Sequence, residues 1–143
     1  MAWRDKKRVL VPVDFSEGSI QAVEVALEFV PNSAHLYVIH VARPMSPVEP
    51  AAVWDEHGEE NRLLNLEKNL AETFSDSRFR EMHIMVKTGN PGAEIVRYAE
   101  KIGADLVVMP SMGRTAMKRI SIGSVAERVL RYAPCPVLLL RES

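Results

Sequence analysis

Val9-Leu10-Val11-Pro12-Val13-Asp14-Phe15-Ser16 is an aliphatic run, rich in β-branched residues, that stops on an acid, an aromatic and a serine. A short apolar run without polar alternation is what a strand buried on both faces presents, as in parallel sheets. Pro12 near its end is expected to forgo one ladder hydrogen bond, tolerable where a strand leaves its sheet. Ser16 can then cap a helix whose buried stripe reads Ile20, Val23, Leu27 and Val30.

The same alternation continues outward from this stretch. Pro31-Asn32-Ser33 ends the first helix, His35 to Val41 reads as a second strand, and Pro44, Pro47 and Pro50 mark a loop. Leu63, Leu66, Leu70 and Phe74 form the next helical stripe, in a helix beginning near Trp54, and Met82 to Val86 is a third strand. Asn90-Pro91 starts a helix, since asparagine caps and proline suits the first helical position. That helix buries Ile95, Val96, Ala99 and Ile102, and Gly103 closes it. Leu106 to Met109 is a fourth strand, Val125 to Tyr132 a helix, and Pro136 to Leu140 a fifth strand. The order βαβαβαβαβ predicts an α/β fold of one domain over residues 1–143. It would be a five-stranded parallel sheet with helices on both faces and right-handed crossovers, Rossmann-like. Ligands of such sheets bind beyond the carboxyl ends of the strands, where the strand order reverses. Chemistry is therefore sought just after Val13, Val41, Val86 and Met109.

Composition removes several function classes. The 143 residues suffice to bury roughly two thirds of the unfolded surface. With 47% hydrophobic and 26% charged residues, neither a disordered nor a fibrous chain is indicated. The formal net charge of -1, with acids and bases interleaved, gives no electrostatic reason to expect nucleic acid or a membrane surface as partner. Cys135 is the single cysteine, so no internal disulfide forms, which fits a reducing compartment. Arg4, Lys6, Lys7 and Arg8 precede an apolar run too short for a signal peptide. No apolar run approaches the length of about 18 residues that a membrane span needs. A soluble, cytoplasmic protein is expected.

Two loops carry candidate chemistry. Asp14 sits where the first strand releases the chain. A carboxylate there can accept both hydroxyls of a ribose, or it can bond backbone amides at the helix start. The second loop runs from Pro110-Ser111-Met112-Gly113-Arg114 to Ile122-Gly123-Ser124-Val125, with Lys118 and Arg119 between. Glycines let backbone approach a phosphate closely, and a helix N-terminus offers unpaired N–H groups to an anion. The competing reading is a capping box of Ser124 and Glu127, which would satisfy those amides internally.

Val-Pro-Val-Asp-Phe-Ser resembles the opening strand of universal stress proteins. Gly-Ser-Val-Ala-Glu-Arg-Val-Leu and Ala-Pro-Cys-Pro-Val-Leu-Leu-Leu resemble their closing helix and strand. The resemblance spans essentially the whole chain. In ATP-binding members the phosphate loop reads Gly, two residues, Gly, nine residues, Gly, then Ser or Thr. Gly113, nine residues and Gly123-Ser124 reproduce its last three fixed positions, and Pro110 replaces the first glycine. The resemblance implies that ATP or AMP binds, with Mg²⁺ as an optional companion of the phosphates. It places Asp14 on ribose, the Val41 backbone on adenine, and Gly113, Gly123, Ser124 and Val125 around the phosphates. Pro12, Pro110, Met112 and Arg114 complete the implied set. It also implies a homodimer through antiparallel pairing of the last strand.

Proline at 110 lacks an N–H and has φ held near −65°, so binding survives there if the ligand uses only the backbone course. A member that binds no nucleotide and acts through protein contacts is the alternative, and a slow ATP hydrolase another. No dedicated catalytic residue is expected: Ser16 has no His–Asp partnership, and no histidine-rich phosphate signature follows the first strand. The third strand is followed by Lys87-Thr88-Gly89-Asn90, without the aspartate a receiver domain would need. His35, His40, His57, His83 and Cys135 show no metal-ligand spacing.

Overall fold

The computed structural model describes residues 3–44, 58–111 and 122–141. Its elements run β1 (Val9–Pro12), α1 (Glu17–Ala26), β2 (Leu36–Ala42), α2 (Gly58–Thr73), β3 (His83–Thr88), α3 (Pro91–Ile102), β4 (Leu106–Pro110), α4 (Ser124–Tyr132) and β5 (Val137–Leu140). The five strands form one parallel sheet in the order β3-β2-β1-β4-β5.

The chain steps from β1 through β2 to β3 in one direction, crosses back past β1 to β4, and finishes at β5. With every crossover right-handed, reversing direction along the sheet moves the helices to the opposite face. The core divides accordingly. Val9 and Val11 of β1, Val38 of β2 and Val108 of β4 pack with Ala22 and Val23 of α1, Leu70 of α2 and Phe74 just past its end. Leu10, Ile39, Val107 and Met109 point the other way, against Ile95 and Ala99 of α3 and Ala126 and Val129 of α4. This is the period-two alternation of a strand whose two faces are both covered. Leu10 is wholly buried, so its truncation to alanine would cost about 2–5 kcal/mol.

Element order and sheet type match the sequence reading, and the boundaries move by a few residues. The stripe expected to reach Val30 in α1 is cut short: the helix ends at Ala26, and Leu27–Phe29 tighten into a 3₁₀ turn. Ser19, Ala22, Val23 and Ala26 are the buried positions, whereas Ile20 and Leu27 are half-buried. Small residues on that stripe let α1 sit close to the sheet, which periodicity alone does not register. In α3 the expected punctuation holds: the Asn90 side chain accepts the Ala93 N–H at 3.0 Å, Pro91 occupies the first turn, and Gly103 takes a left-handed φ of 67°. Val96 and Ile102 are only half-buried there. Trp54, the expected start of α2, lies outside the described residues.

Asn90→Ala and Gly103→Ala should each lower stability by about 1 kcal/mol, through loss of a cap and through left-handed backbone strain respectively. Urea unfolding should show the midpoint falling with an unchanged slope.

Candidate functional site

β1 pairs with β2 over four positions, from Val9↔Leu36 to Pro12↔Ile39, but its pairing with β4 covers only Val9↔Leu106 and Leu10↔Val107. Beyond that point the two strands part, at the place where the strand order reverses. Backbone N–H directions alternate along a strand, and this decides what the two prolines do. The Val13 N–H reaches the Ile39 carbonyl at 2.8 Å, so the nitrogen of Pro12 faces β4. The Val107 and Ser111 N–H groups reach the carbonyls of Pro136 and Leu140 at 3.0 and 2.9 Å, so the nitrogen of Pro110 faces β1. Both prolines therefore front the opening from opposite sides, past the end of the β1–β4 ladder. The expected loss of a ladder bond at Pro12 does not occur, because no partner strand is paired with it on that side.

A cavity of about 340 Å³ occupies this opening. Its walls are Pro12, Val13, Asp14 and Ser19 on the β1–α1 side, Ile39 and Val41 from β2 with Arg43 just after it, Pro91 and Ile95 from α3, Met109 and Pro110 from β4, and Gly123 to Ala126 at the start of α4. The lining is mainly apolar with a few polar groups, the composition usual for a small-molecule site.

Local chemistry positions Asp14 closely. Its Oδ1 accepts the Ser16 N–H at 3.0 Å, and its own N–H donates to Ser19 Oγ at 3.3 Å. Ser16 is the N-cap of α1, accepting the Ser19 N–H at 3.2 Å. Buried Ser19 returns a hydroxyl bond to the Ser16 carbonyl at 2.9 Å. Asp14 thus does part of what the backbone reading expected while still lining the cavity. The turn is held from behind: Phe15 adopts φ 65°, a left-handed value that costs a non-glycine residue energy. Its ring packs edge-on against His40 with centroids 4.8 Å apart. His40 Nδ1 donates to the Val13 carbonyl at 2.7 Å.

At the start of α4, the capping box is overturned. Gly123, with φ −62° and ψ 155°, is the N-cap of α4, and no side chain caps this helix among the described residues. Ser124 is one position too late to cap and is exposed, while Glu127 pairs with Arg131 at 3.0 Å. The Gly123 N–H donates to the Ser111 carbonyl at 2.8 Å, tying the start of α4 to the end of β4. The first turn of α4 therefore meets the cavity without a side-chain acceptor of its own, an arrangement favourable to an anion.

Of the residues singled out from sequence, Pro12, Asp14, Val41, Pro110, Gly123, Ser124 and Val125 converge on this one cavity. Met112, Gly113, Arg114, Lys118 and Arg119 lie outside the described residues. Sequence reading missed Ser19, Arg43, Pro91 and the His40–Phe15 clamp; only the Ser16–Ser19 spacing, one helical turn, carried a local signal. Among the described residues no group of three or more His, Cys, Asp or Glu side chains could hold a metal ion, and no helix is long and apolar enough to cross a membrane. Half-buried Cys135 is not an activated nucleophile: burial, helped by Asp105 and opposed by Lys6, pushes its thiol above the usual range.

The fold and site define a doubly wound parallel α/β domain with its cleft at the switch point between β1 and β4. Residues 6–141 match the model of the universal stress protein family, and the chain belongs to that family. It is 35% identical to the universal stress protein MJ0531 of Methanocaldococcus jannaschii, over 95% of this chain and 82% of the relative. The solved structure of MJ0577 superposes with a TM-score of 0.75 at 29% identity, covering 96% of this chain and 97% of that one. A universal stress protein of Arabidopsis thaliana, solved with AMP bound, shares the fold with a TM-score of 0.62 at 20% identity, covering 96% and 92%.

The corrected caps separate two serines. Ser16→Ala should cost about 1 kcal/mol, whereas Ser124→Ala should stay within about 0.5 kcal/mol of the parent in thermal or urea unfolding.

Proposed function

We propose that this chain binds an adenine nucleotide, ATP or AMP, in the switch-point cavity, and acts in the cytoplasm as a stress-response sensor or adaptor without dedicated catalysis. The observation that carries this reading is one cavity lined by both a carboxylate and an uncapped helix start. In this reading the ribose hydroxyls donate to Asp14, the adenine edge lies along the Val41 backbone over Ile39, Ile95 and Met109, and the phosphates meet Gly123, Ser124 and Val125. Arg43 on the same wall supplies countercharge. Pro110 continues β4, paired with Leu140, so the backbone course survives the loss of the family glycine. Asp14 is the one carboxylate on the wall among the described residues. Mg²⁺, where it accompanies ATP, would be carried by phosphates and water, and turnover would be slow at most. A homodimer fits the same reading, because β5 is a sheet edge whose Val137 to Leu140 are all only half-buried.

Titration calorimetry should give a dissociation constant on the order of micromolar for ATP or AMP. Asp14→Ala should weaken adenosine and ATP alike, and Ser124→Ala should weaken ATP alone. Absence of heat and of any melting shift at millimolar ATP with Mg²⁺ would overturn the reading and favour a member acting only through protein contacts.

Light scattering at tens of micromolar, an illustrative concentration, should report a dimer, and Leu139→Asp on β5 should convert it to monomer. A monomeric parent protein would exclude the β5 interface.

A further inference from the structure

A second cavity of about 330 Å³ adjoins the first and shares Arg43, Pro91, Ser124 and Val125 with it. Its own walls include Arg128 and Tyr132 of α4. Charge on these walls is unbalanced. Glu127 is engaged by Arg131 at 3.0 Å, and neither Arg43 nor Arg128 has a carboxylate partner among the described residues. Guanidinium groups in that condition suit phosphate oxygens, which their planar forks bind two at a time. Arg128 is also held in place. Its stem lies on Gly92 of α3, where an added Cβ would come within 2.8 Å of the Arg128 Cδ. Its guanidinium carbon lies over the Tyr132 ring, 5.8 Å from the centre, and Tyr132 as a residue is 58% exposed. An exposed aromatic face with a cation beside it is a stacking surface for a base.

Phosphate alone would use the arginines but leave that ring idle, and the second cavity is close to the first in volume. Resting on the nucleotide reading above, we infer that the preferred ligand is a dinucleoside polyphosphate. Its first nucleoside occupies the switch-point cavity, its phosphate chain crosses the shared wall of Arg43, Ser124 and Val125, and its second base stacks on Tyr132 beside Arg128.

Titration calorimetry on the full chain with ATP, tripolyphosphate and diadenosine tetraphosphate tests this. Diadenosine tetraphosphate should bind one molecule per chain and about tenfold more tightly than ATP, the usual gain from one stacked base. Tyr132→Ala should erase that advantage and leave ATP within about twofold, while Tyr132→Phe should retain it, because stacking needs the ring and not the hydroxyl. Arg128→Gln should weaken the dinucleotide several-fold more than ATP, and it serves as the second variant if Tyr132→Ala fails to fold by circular dichroism. If ATP binds but the dinucleotide binds no more tightly, the inference falls and the nucleotide reading stands. One dinucleotide per two chains, or tripolyphosphate matching the dinucleotide in affinity, overturns the two-base arrangement. If neither ATP nor the dinucleotide binds, both readings fail together.

Discussion

β1 remains hydrogen-bonded to β2 as far as Pro12 but parts from β4 after Leu10 and Val107, and the cleft exists because of that asymmetry. It follows from topology. The chain runs from β1 to β2 and β3 on one side and returns past β1 to β4 and β5 on the other, so helices α1 and α2 cover one face and α3 and α4 the other, and the strand order reverses between β1 and β4. A ligand there would meet backbone from two diverging strands. Prolines are tolerated on both lips, since neither nitrogen faces a paired strand. Pro110, a departure from the family glycine when read as sequence, is in this setting an ordinary strand end.

The β1–α1 turn shows how local strain is held. Phe15 in a left-handed conformation would relax in isolation. Its ring is packed on His40, and His40 in turn holds the Val13 carbonyl, so β2 fixes the turn that begins at the end of β1. The consequence is a carboxylate held by the turn itself, its backbone N–H bonded to Ser19 and its Oδ1 to the Ser16 N–H. Such preorganisation reduces the ordering cost of binding.

The opposite wall is built differently. At α4 the cap is a glycine, so the helix start contributes backbone donors without a side chain competing for them. The close approach of α3 and α4 at Gly92 sets Arg128 beside the same helix start, while Arg43 arrives from the end of β2. Positive charge and backbone donors thus meet from two places distant in the chain, the end of β2 and α4. The sequence's near-zero net charge conceals this concentration, because acids such as Glu127 are spent on neighbours such as Arg131.

By itself the sequence determined the element order, the parallel sheet and three of the punctuation marks: Ser16 and Asn90 as caps and Gly103 as a left-handed stop. Each depends on groups within a few residues, where periodicity and capping chemistry act. It also placed Asp14 and the Gly123–Val125 segment after strand ends, where a parallel sheet puts ligands, and the family resemblance added Val41 near the end of β2. Only the tertiary structure decided that Gly123 caps α4 in place of Ser124, that α1 stops at Ala26, and that Pro12 and Pro110 lose nothing. It alone joined His40 to Val13, and Arg43 to Arg128 across a cavity. Those outcomes turn on which strand lies beside which and how closely two helices approach, distances set by packing between residues far apart in the chain, where no local pattern records them.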